Sequence, residues 1–261
     1  MPTALVTGAS SGIGWELARL LAEDGHDLVL VARSGEKLAE FGRELESSCH
    51  IGVRALVRDL ADPDAAGSIA NELARAGVVV DVLVNNAGLG VYGPFSETPA
   101  AREREMIQVN VAALTELTKR FLPSMLDRRR GRILNVASTA AFQPGPLMAV
   151  YYATKAYVLS FSEALANELE GSGVTVTALC PGPTVTNFQK DAGLERTRLF
   201  TSPLVTAPRT VAHAGIAGMK RGRRIVVPGI ANKLLIQSVR FSPRRLVTAV
   251  ARAIQENRRG T

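Results

Sequence analysis

The sequence predicts an α/β fold in which a seven-stranded parallel sheet carries helices on both faces. Two observations predict it: short runs rich in Val, Leu and Ile recur along the chain, and longer amphipathic stretches separate them. Such apolar runs are typical of strands that are buried on both faces, and their alternation with helices is typical of a parallel sheet. Since the alternation contains no obvious linker, we expect one domain over residues 1–229. Residues 230–261 are expected to form a C-terminal extension, either part of that domain or attached to its periphery.

The predicted strands are short and occupy residues 4–6, 28–31, 53–57, 78–84, 133–136, 174–179 and 225–227. The predicted helices lie between them, at residues 14–23, 36–47, 63–76, 100–126, 150–170 and 208–220. Asp62 and Pro63 are typical of an N-cap followed by proline in the first turn, so the third helix is expected to begin there. Residues 181–208 are rich in Pro and Gly, lack a clear period and are long for a connection, which favours a binding loop or a lid.

Composition argues against several classes of protein. The 261 residues are 46% hydrophobic and 21% charged, which allows a sizeable core. Cys49 and Cys180 are far apart and the three histidines are scattered, so neither a disulfide framework nor a metal site is expected. No apolar run approaches the roughly 18 residues of a membrane span. The N-terminus enters an apolar strand without a preceding basic region, which argues against a secretory signal and favours a cytoplasmic location.

The net charge of +7 is concentrated at the C-terminus. Residues 220–261 contain eleven Lys or Arg and one acidic residue, Glu256, whereas residues 1–219 contain 20 basic and 23 acidic residues. In residues 230–259 basic and apolar side chains alternate, and Pro243 divides them into two short amphipathic helices. Such helices can lie on an anionic membrane, or they can cover the protein's own core or a sister subunit; we favour the second interpretation. Nucleic acid is not an expected partner, because no recognised binding motif accompanies the charge.

A glycine-rich loop follows the first strand. Residues 7–14 read TGASSGIG, and the glycines Gly8, Gly12 and Gly14 open the first helix. Glycines permit a tight turn and let the backbone approach a pyrophosphate at the positive end of the helix. Many α/β turns are glycine-rich, but the strand–turn–helix context favours a dinucleotide and a Rossmann-type, doubly wound sheet.

The end of the second strand indicates which dinucleotide is bound. A carboxylate about 20 residues past the glycines would bond the ribose 2′-hydroxyl of NAD. The chain has Arg33 and Ser34 at this point, and Glu36 is expected inside the next helix. A guanidinium and a hydroxyl suit a 2′-phosphate, so NADP(H) is favoured. In the alternative interpretation, Arg33 is a solvated residue at the start of a helix.

Tyr151 and Lys155 stand four residues apart in a predicted helix, thirteen residues after Ser138. Residues at this spacing share a helix face about one turn apart. A lysine there favours the phenolate and lowers a phenol pKa of about 10 toward working pH. Taken alone, such a pair is more often structural, and Tyr152 is a competing phenol. Downstream of a dinucleotide loop, however, a phenol, an ammonium and a hydroxyl indicate proton chemistry beside the cofactor.

These residues and their order resemble the short-chain dehydrogenase/reductase family in its compact single-domain form. The resemblance covers roughly residues 3–230. Its motifs are the glycine loop, Asn85-Asn86-Ala87-Gly88, Asn110 in Val-Asn-Val, Ser138, Tyr151-x-x-x-Lys155 and Pro181-Gly182. Each motif is modest alone, but all of them in order are specific, and together they imply an oxidoreductase that uses a nicotinamide dinucleotide.

The resemblance implies a role for each catalytic candidate. Tyr151 would be the general acid in carbonyl reduction, or the base in alcohol oxidation. Lys155 would lower the pKa of Tyr151 and bind the nicotinamide ribose. Ser138 would hydrogen-bond the substrate oxygen, and Asn110 would help to hold a water that relays protons to Lys155.

The resemblance also implies a cofactor site and an assembly. Asp59 would contact the adenine, residues 86–88 would line the adenine ribose, and Thr184 and Thr186 would hold the carboxamide. The full expected set is Gly8, Ser10, Ser11, Gly12, Ile13, Gly14, Arg33, Ser34, Asp59, Leu60, Asn86, Ala87, Gly88, Tyr151, Lys155, Pro181, Gly182, Thr184 and Thr186. A homodimer or homotetramer built through the helices that carry Asn110 and Tyr151 is expected by the same analogy.

Two segments, residues 89–95 and 142–148, are expected to wall the substrate pocket. Both are apolar and aromatic and contain no Arg or Lys that could hold a carboxylate or phosphate. The long loop adds Phe188, Leu194, Leu199 and Phe200. A hydrophobic ketone or aldehyde, including a long-chain or acyl-type one, therefore fits better than a sugar or a small acid.

The expected function is NADP-dependent reduction of a lipophilic carbonyl. One alternative keeps the fold and runs NAD-linked alcohol oxidation, against which Arg33 argues. The other is a non-catalytic dinucleotide-binding protein with a regulatory or membrane-docking role. The presence of Asn110, Ser138, Tyr151 and Lys155 argues against it, because a pure binder needs no proton relay.

Overall fold

The computed structural model describes residues 1–194 and 205–256, and its strands form a single parallel sheet. The strands are β1 Thr3–Thr7, β2 Asp27–Ala32, β3 Val53–Val57, β4 Val80–Asn85, β5 Gly131–Val136, β6 Val174–Leu179 and β7 Ile225–Val226. Their order across the sheet is β3-β2-β1-β4-β5-β6-β7, and every neighbouring pair is parallel. This confirms the predicted fold class.

The helices are α1 Gly12–Glu23, α2 Gly35–Cys49, α3 Ala65–Arg75, α4 Ala100–Ile107, α5 Leu114–Asp127, α6 Ala149–Glu168, α7 Phe188–Asp191, α8 Pro208–Lys220, α9 Ile230–Phe241 and α10 Arg244–Gln255. Helices α1 to α8 lie between successive strands, and α9 and α10 follow the last strand. A π-helical turn, Gln108–Ala113, joins α4 to α5, and a 3₁₀ turn, Thr139–Phe142, follows β5. The two predicted helices of the C-terminal extension are α9 and α10, and Pro243 lies between them.

Two apolar cores cover the two faces of the sheet. One contains α1, α2 and α8, with Phe41 and Leu17 fully buried in it. The other contains α3, α5 and the end of α6, with Ile69 and Met125 fully buried. The strand order reverses between β1 and β4, which opens a crevice at the carboxyl ends of the strands, where ligands bind in doubly wound sheets.

The predicted N-cap at Asp62 is wrong. The third helix begins at Ala65, and Asp64 takes the capping position. The Asp62 carboxylate accepts a hydrogen bond from the main-chain N–H of Asp64 at 2.9 Å, and the Asp62 main-chain oxygen accepts one from Ala65 at 3.1 Å. Asp62 and Pro63 therefore form a turn that precedes the helix, because the Asp side chain bonds its own local backbone.

A buried chain of polar side chains joins the middle of the sheet to two helices. The Asn85 amide donates to Asn135 at 2.9 Å and to Thr118 at 3.1 Å. The Asn135 amide in turn donates to the Ser162 hydroxyl at 2.9 Å. This Asn85–Asn135 network connects β4 and β5 with α5 and α6, and α6 carries Tyr151 and Lys155.

Candidate active site

A cavity of about 730 Å³ lies at the carboxyl ends of the strands. It extends from the glycine loop to the side chains of Ser138, Tyr151 and Lys155. Of the residues predicted for the cofactor and for catalysis, all line this cavity except Gly14 and Asn110. The structure therefore brings together residues that are as much as 178 positions apart, as Gly8 and Thr186 are.

The glycine loop takes a conformation that L side chains rarely adopt. Gly8 has φ +66° and Gly12 has φ +60°. A Cβ at Gly14 would lie 2.3 Å from both the Gly8 main-chain oxygen and the Asn86 amide nitrogen, although Gly14 does not line the cavity. Gly14 thus permits the close packing of α1 beneath the loop, and Gly8 and Gly12 permit the turn itself.

Thr7 and Asn86 fasten the glycine loop to the end of β4. The Thr7 hydroxyl accepts hydrogen bonds from the main-chain N–H groups of Asn86 and Ala87, at 3.0 and 3.1 Å. The Asn86 amide donates to the Thr7 main-chain oxygen at 2.9 Å. These bonds bring residues nearly 80 positions apart to the switch point of the sheet, where Asn86 and Ala87 line the cavity.

Arg33 lies at the cavity wall with its guanidinium largely in solvent. The side chain is 60% exposed, and its contact within the described residues is with Glu105, at 3.8 Å. Two further cavity-lining arginines were missed by sequence reasoning, Arg58 and Arg102. Arg58 pairs with Glu72 at 2.6 Å, whereas Arg102 pairs with Glu105. The only sequence signal for Arg58 is that it directly precedes Asp59. The three arginines at this wall are far apart in the sequence, and the fold brings them together.

Three of the four catalytic candidates lie close together: Ser138 follows β5, and Tyr151 and Lys155 lie on α6. Lys155 is buried and donates from Nζ to the Val136 main-chain oxygen at 2.9 Å. Its Nζ lies 5.8 Å from the centre of the Tyr151 ring. Ser138 caps the 3₁₀ turn, accepts from the Ala140 N–H at 3.1 Å and hydrogen-bonds the Tyr151 hydroxyl. A hydroxyl, a phenol and an ammonium thus share one end of the cavity.

Burial keeps the phenol protonated. Desolvation raises the pKa of Tyr151, and the hydrogen bond with Ser138 opposes it. Desolvation also lowers the pKa of the Lys155 ammonium to about 8. The expected lowering of the Tyr151 pKa by Lys155 is therefore not seen in the protein chain alone. A neutral phenol is the form that can donate a proton.

Asn110 lies behind the cavity, in the π-helical turn between α4 and α5. Its buried side-chain amide donates to the Leu89 main-chain oxygen and to the Thr154 hydroxyl, both at 3.0 Å. Its side-chain oxygen accepts from the Leu89 N–H at 2.8 Å. A Cβ at Gly88 would lie 3.3 Å from that oxygen and 3.4 Å from Lys155 Nζ. Asn110 therefore joins the loop after β4 to the helix that carries the phenol and the ammonium.

The other end of the cavity is mostly apolar. From the segments predicted to wall it, the lining residues are Leu89, Gly90, Gln143, Met148, Phe188 and Leu194. Phe95, at the end of the first segment, is exposed and does not line the cavity. Leu199 and Phe200 lie outside the described residues. An apolar chamber beside a phenol and a hydroxyl suits a hydrophobic ligand.

Comparison with known proteins decides the family. A sequence model described as short chain dehydrogenase matches residues 2–197. The chain belongs to the short-chain dehydrogenase/reductase family. Members of this family are oxidoreductases, and their fold binds a nicotinamide dinucleotide.

Three relatives of this short-chain dehydrogenase illustrate the range of similarity. It is 36% identical to a very-long-chain 3-oxoacyl-CoA reductase from Pyrenophora tritici-repentis over 87% of this chain, but it spans only 65% of that relative. It is 32% identical to the ketoacyl reductase HetN from Nostoc sp., over 88% of this chain and 76% of the relative. A solved short-chain dehydrogenase from Sphingobium yanoikuyae in complex with NADPH has 34% identity and a TM-score of 0.83, covering 92% of this chain and 94% of that one.

The C-terminal extension of this short-chain dehydrogenase closes part of the cavity. Residues from α9 and α10 complete the apolar lining, namely Leu235, Val250, Ala251, Ala253 and Ile254. Gln255 is buried; its amide donates to the Tyr152 hydroxyl, and its main-chain oxygen accepts from the Tyr92 hydroxyl at 2.8 Å. The Tyr152 phenol is thus engaged in holding α10. Sequence reasoning missed these lining residues, because the Gln255–Tyr152 bond spans 103 positions and leaves no local pattern.

Proposed function

We propose that this short-chain dehydrogenase reduces a lipophilic ketone or aldehyde to an alcohol and uses NADPH. The observation that carries the proposal is that one continuous cavity runs from the glycine loop and Arg33, past Ser138 and Tyr151, into an apolar chamber. Such an arrangement can hold a dinucleotide and a hydrophobic carbonyl side by side with a proton donor at the junction.

The residues at the dinucleotide end fit this cofactor. Gly8 and Gly12 present bare backbone to the cavity at positive φ, where a pyrophosphate can approach closely. Arg33 and Ser34 would hold the 2′-phosphate with a guanidinium and a hydroxyl. The NADPH bound to the similar enzyme from Sphingobium yanoikuyae supports this choice. Arg33 remains mostly solvated, so its donors are accessible to an incoming phosphate.

The cofactor would supply the hydride, and the protein must supply one proton. We propose that the Tyr151 phenol gives its proton to the carbonyl oxygen as negative charge develops there, while the Ser138 hydroxyl stabilises the same oxygen. The Tyr151 phenolate would then recover a proton through the region of Lys155 and Asn110. The buried Lys155 ammonium would stabilise the phenolate while it exists, because the low local dielectric strengthens their attraction.

The chamber and the relatives both support a lipophilic substrate. Leu89, Met148, Phe188 and Ile254 give the chamber apolar walls, and the cavity lining also includes the polar residues Gln143, Asn187 and Asp191. Two of the similar proteins are named as reductases of 3-oxoacyl-CoA and of ketoacyl substrates, which supports an acyl-type ketone. We propose a cytoplasmic enzyme that forms a homodimer or homotetramer; Ile107 and Tyr157, exposed on α4 and α6, are suitable contacts for such an assembly.

The Tyr151→Phe variant tests the proposed function. It should lower kcat for NADPH-dependent reduction of long-chain β-ketoacyl thioesters and hydrophobic aryl ketones by about 10²- to 10⁴-fold. NADPH affinity, measured by titration, should change little. Tyr157→Phe is the matched control, because Tyr157 lies on the same helix and its hydroxyl bonds Thr115 at 2.9 Å. Full activity in Tyr151→Phe would refute the mechanism, and absence of reduction in the wild-type enzyme would refute the function.

A further inference from the structure

The outer side of α9 and α10 carries large apolar side chains in solvent. This outer tail face consists of Ile230, Leu234, Phe241, Leu246, Val250 and Ile254. Phe241 is 87% exposed and Leu234 is 66% exposed. Isolated exposed apolar residues are common, but six large ones on two consecutive helices indicate an interaction surface.

The helical spacing places these side chains on one side of each helix. On α9, Ile230, Leu234 and Phe241 follow a spacing of four and seven residues, which keeps them on one face. Asn232 and Ile236 are buried on the other side of the same helix. The helix therefore has one side that packs on the protein and a second apolar side that has no covering among the described residues.

Basic side chains accompany the outer tail face. They are Lys233, Arg240, Arg244, Arg245 and Arg252, all of them exposed. The acidic residue within the described part of the extension is Glu256, and it pairs with Arg252 at 3.0 Å. Apolar groups flanked by exposed cations are the combination that binds an anionic lipid surface, because burial of the apolar groups and attraction to the headgroups act together.

The outer tail face is continuous with the substrate cavity. Val250 and Ile254 are partly exposed on α10 and also line the cavity. Leu235, half-buried on α9, lines it as well. A hydrophobic molecule that enters between α9 and α10 would therefore pass from one apolar surface to another.

We infer that the outer tail face docks on an anionic phospholipid bilayer and directs the mouth of the cavity toward it. Docking is peripheral, since no helix among the described residues is long and apolar enough to cross a membrane. A second copy of the chain is disfavoured as the covering partner, because a symmetric contact would bring the same basic side chains together. The entry of a lipophilic substrate from the bilayer rests on the proposed function, whereas the docking itself does not.

Vesicle co-sedimentation of the full chain tests the docking without cofactor or substrate. Pure phosphatidylcholine vesicles are compared with vesicles that also contain phosphatidylglycerol. The Leu234→Ser/Phe241→Ser variant removes apolar groups, and Lys233→Gln/Arg240→Gln removes charge. Val57→Ser/Val79→Ser is the apolar control; Val57 is on the edge strand farthest from β7, and Val79 precedes the amino end of β4. Lys37→Gln/Arg43→Gln on α2 is the charge control.

The wild-type protein should sediment with the anionic vesicles, and less so with the neutral ones. Each tail variant should weaken that binding by about tenfold or more, with both controls unchanged. Absence of sedimentation, or equal effects of tail and control variants, would overturn the docking. So would a change in oligomeric state in the tail variants, which would assign the face to a subunit contact. Turnover of a water-soluble aryl ketone without vesicles tests the proposed function separately. A protein that reduces this ketone but does not sediment with vesicles refutes the docking alone.

Discussion

Arg33 is the residue whose replacement should separate NADPH from NADH. It lines the dinucleotide end of the cavity, and its guanidinium is the least engaged of the three arginines there. Arg33→Ala removes the proposed partner of the 2′-phosphate, and Arg33→Asp replaces it with a carboxylate that repels this phosphate. NADH lacks the phosphate, so it serves as an internal control for the rest of the site.

The magnitude follows from the exposure and contacts of Arg33. A charge-assisted hydrogen bond contributes about 1.5–3 kcal/mol, and the 60% exposure of the side chain places this one at the low end. The 3.8 Å contact with Glu105, which the phosphate would displace, is worth less than about 1 kcal/mol. The net is about 0.5–1.5 kcal/mol, so Arg33→Ala should weaken NADPH binding about 2- to 12-fold. Arg33→Asp should add about a further fivefold through surface-screened repulsion.

Isothermal titration calorimetry with both dinucleotides measures the effect. NADH affinity should stay within about twofold in Arg33→Ala, and it should stay or rise in Arg33→Asp, because a carboxylate can accept from the ribose 2′-hydroxyl. Lys37→Gln is the control, since Lys37 is an exposed cation in the first turn of α2 that does not line the cavity. Equal losses for NADPH and NADH, or no loss for either, would show that Arg33 does not read the 2′-phosphate.

Three further perturbations are expected to have distinct signatures. The Lys155 ammonium has a pKa of about 8 in the folded protein and an ordinary pKa of 10.5. Between pH values of about 8 and 10.5, the chain therefore takes up a proton when it unfolds. Wild type should therefore gain up to about 3 kcal/mol of stability over Lys155→Met as pH rises through this window, measured by chemical denaturation; a flat difference would contradict it. Gly14→Ala should cost about 1–3 kcal/mol and weaken NADPH binding, because its Cβ meets backbone at 2.3 Å. By contrast, Gly67→Ala in α3 should be neutral or stabilising by up to about 1 kcal/mol in the same melts. Gln255→Leu should raise KM about fivefold with kcat less affected, since it loosens α10 and leaves the proton donor intact. The exposed Gln237→Leu is its kinetic control, and equal changes in the two variants would remove Gln255 from the substrate site.

The strands and most helices could be predicted because the spacing of their apolar residues along the sequence indicates which side chains are buried. The predicted bounds of β3, β6 and α8 are those of the structure. The fourth strand was predicted two residues too early, at Val78. The Val78 N–H instead bonds the Leu73 main-chain oxygen at 2.9 Å and closes the end of α3. An apolar residue can cover a helix end as well as begin a strand, and periodicity alone does not distinguish them.

Features that depend on distant contacts could not be predicted. The packing of α10 against the cavity depends on Gln255, Tyr92 and Tyr152, which the fold alone brings together. The direction of the Tyr151 pKa shift was missed for a related reason. Its spacing from Lys155 was visible in the sequence, but the degree to which the surrounding chain excludes water from both groups was not.

The Asn85–Asn135 network restricts how α6 can move against the sheet. The directional hydrogen bond from Asn135 to Ser162 specifies one alignment of α6 with the sheet, in addition to the alignment that apolar packing favours. Because Tyr151 and Lys155 lie on α6, their positions are thereby fixed relative to the strands. The loops and the C-terminal helices can therefore change around a different ligand while Tyr151, the proposed proton donor, keeps its place.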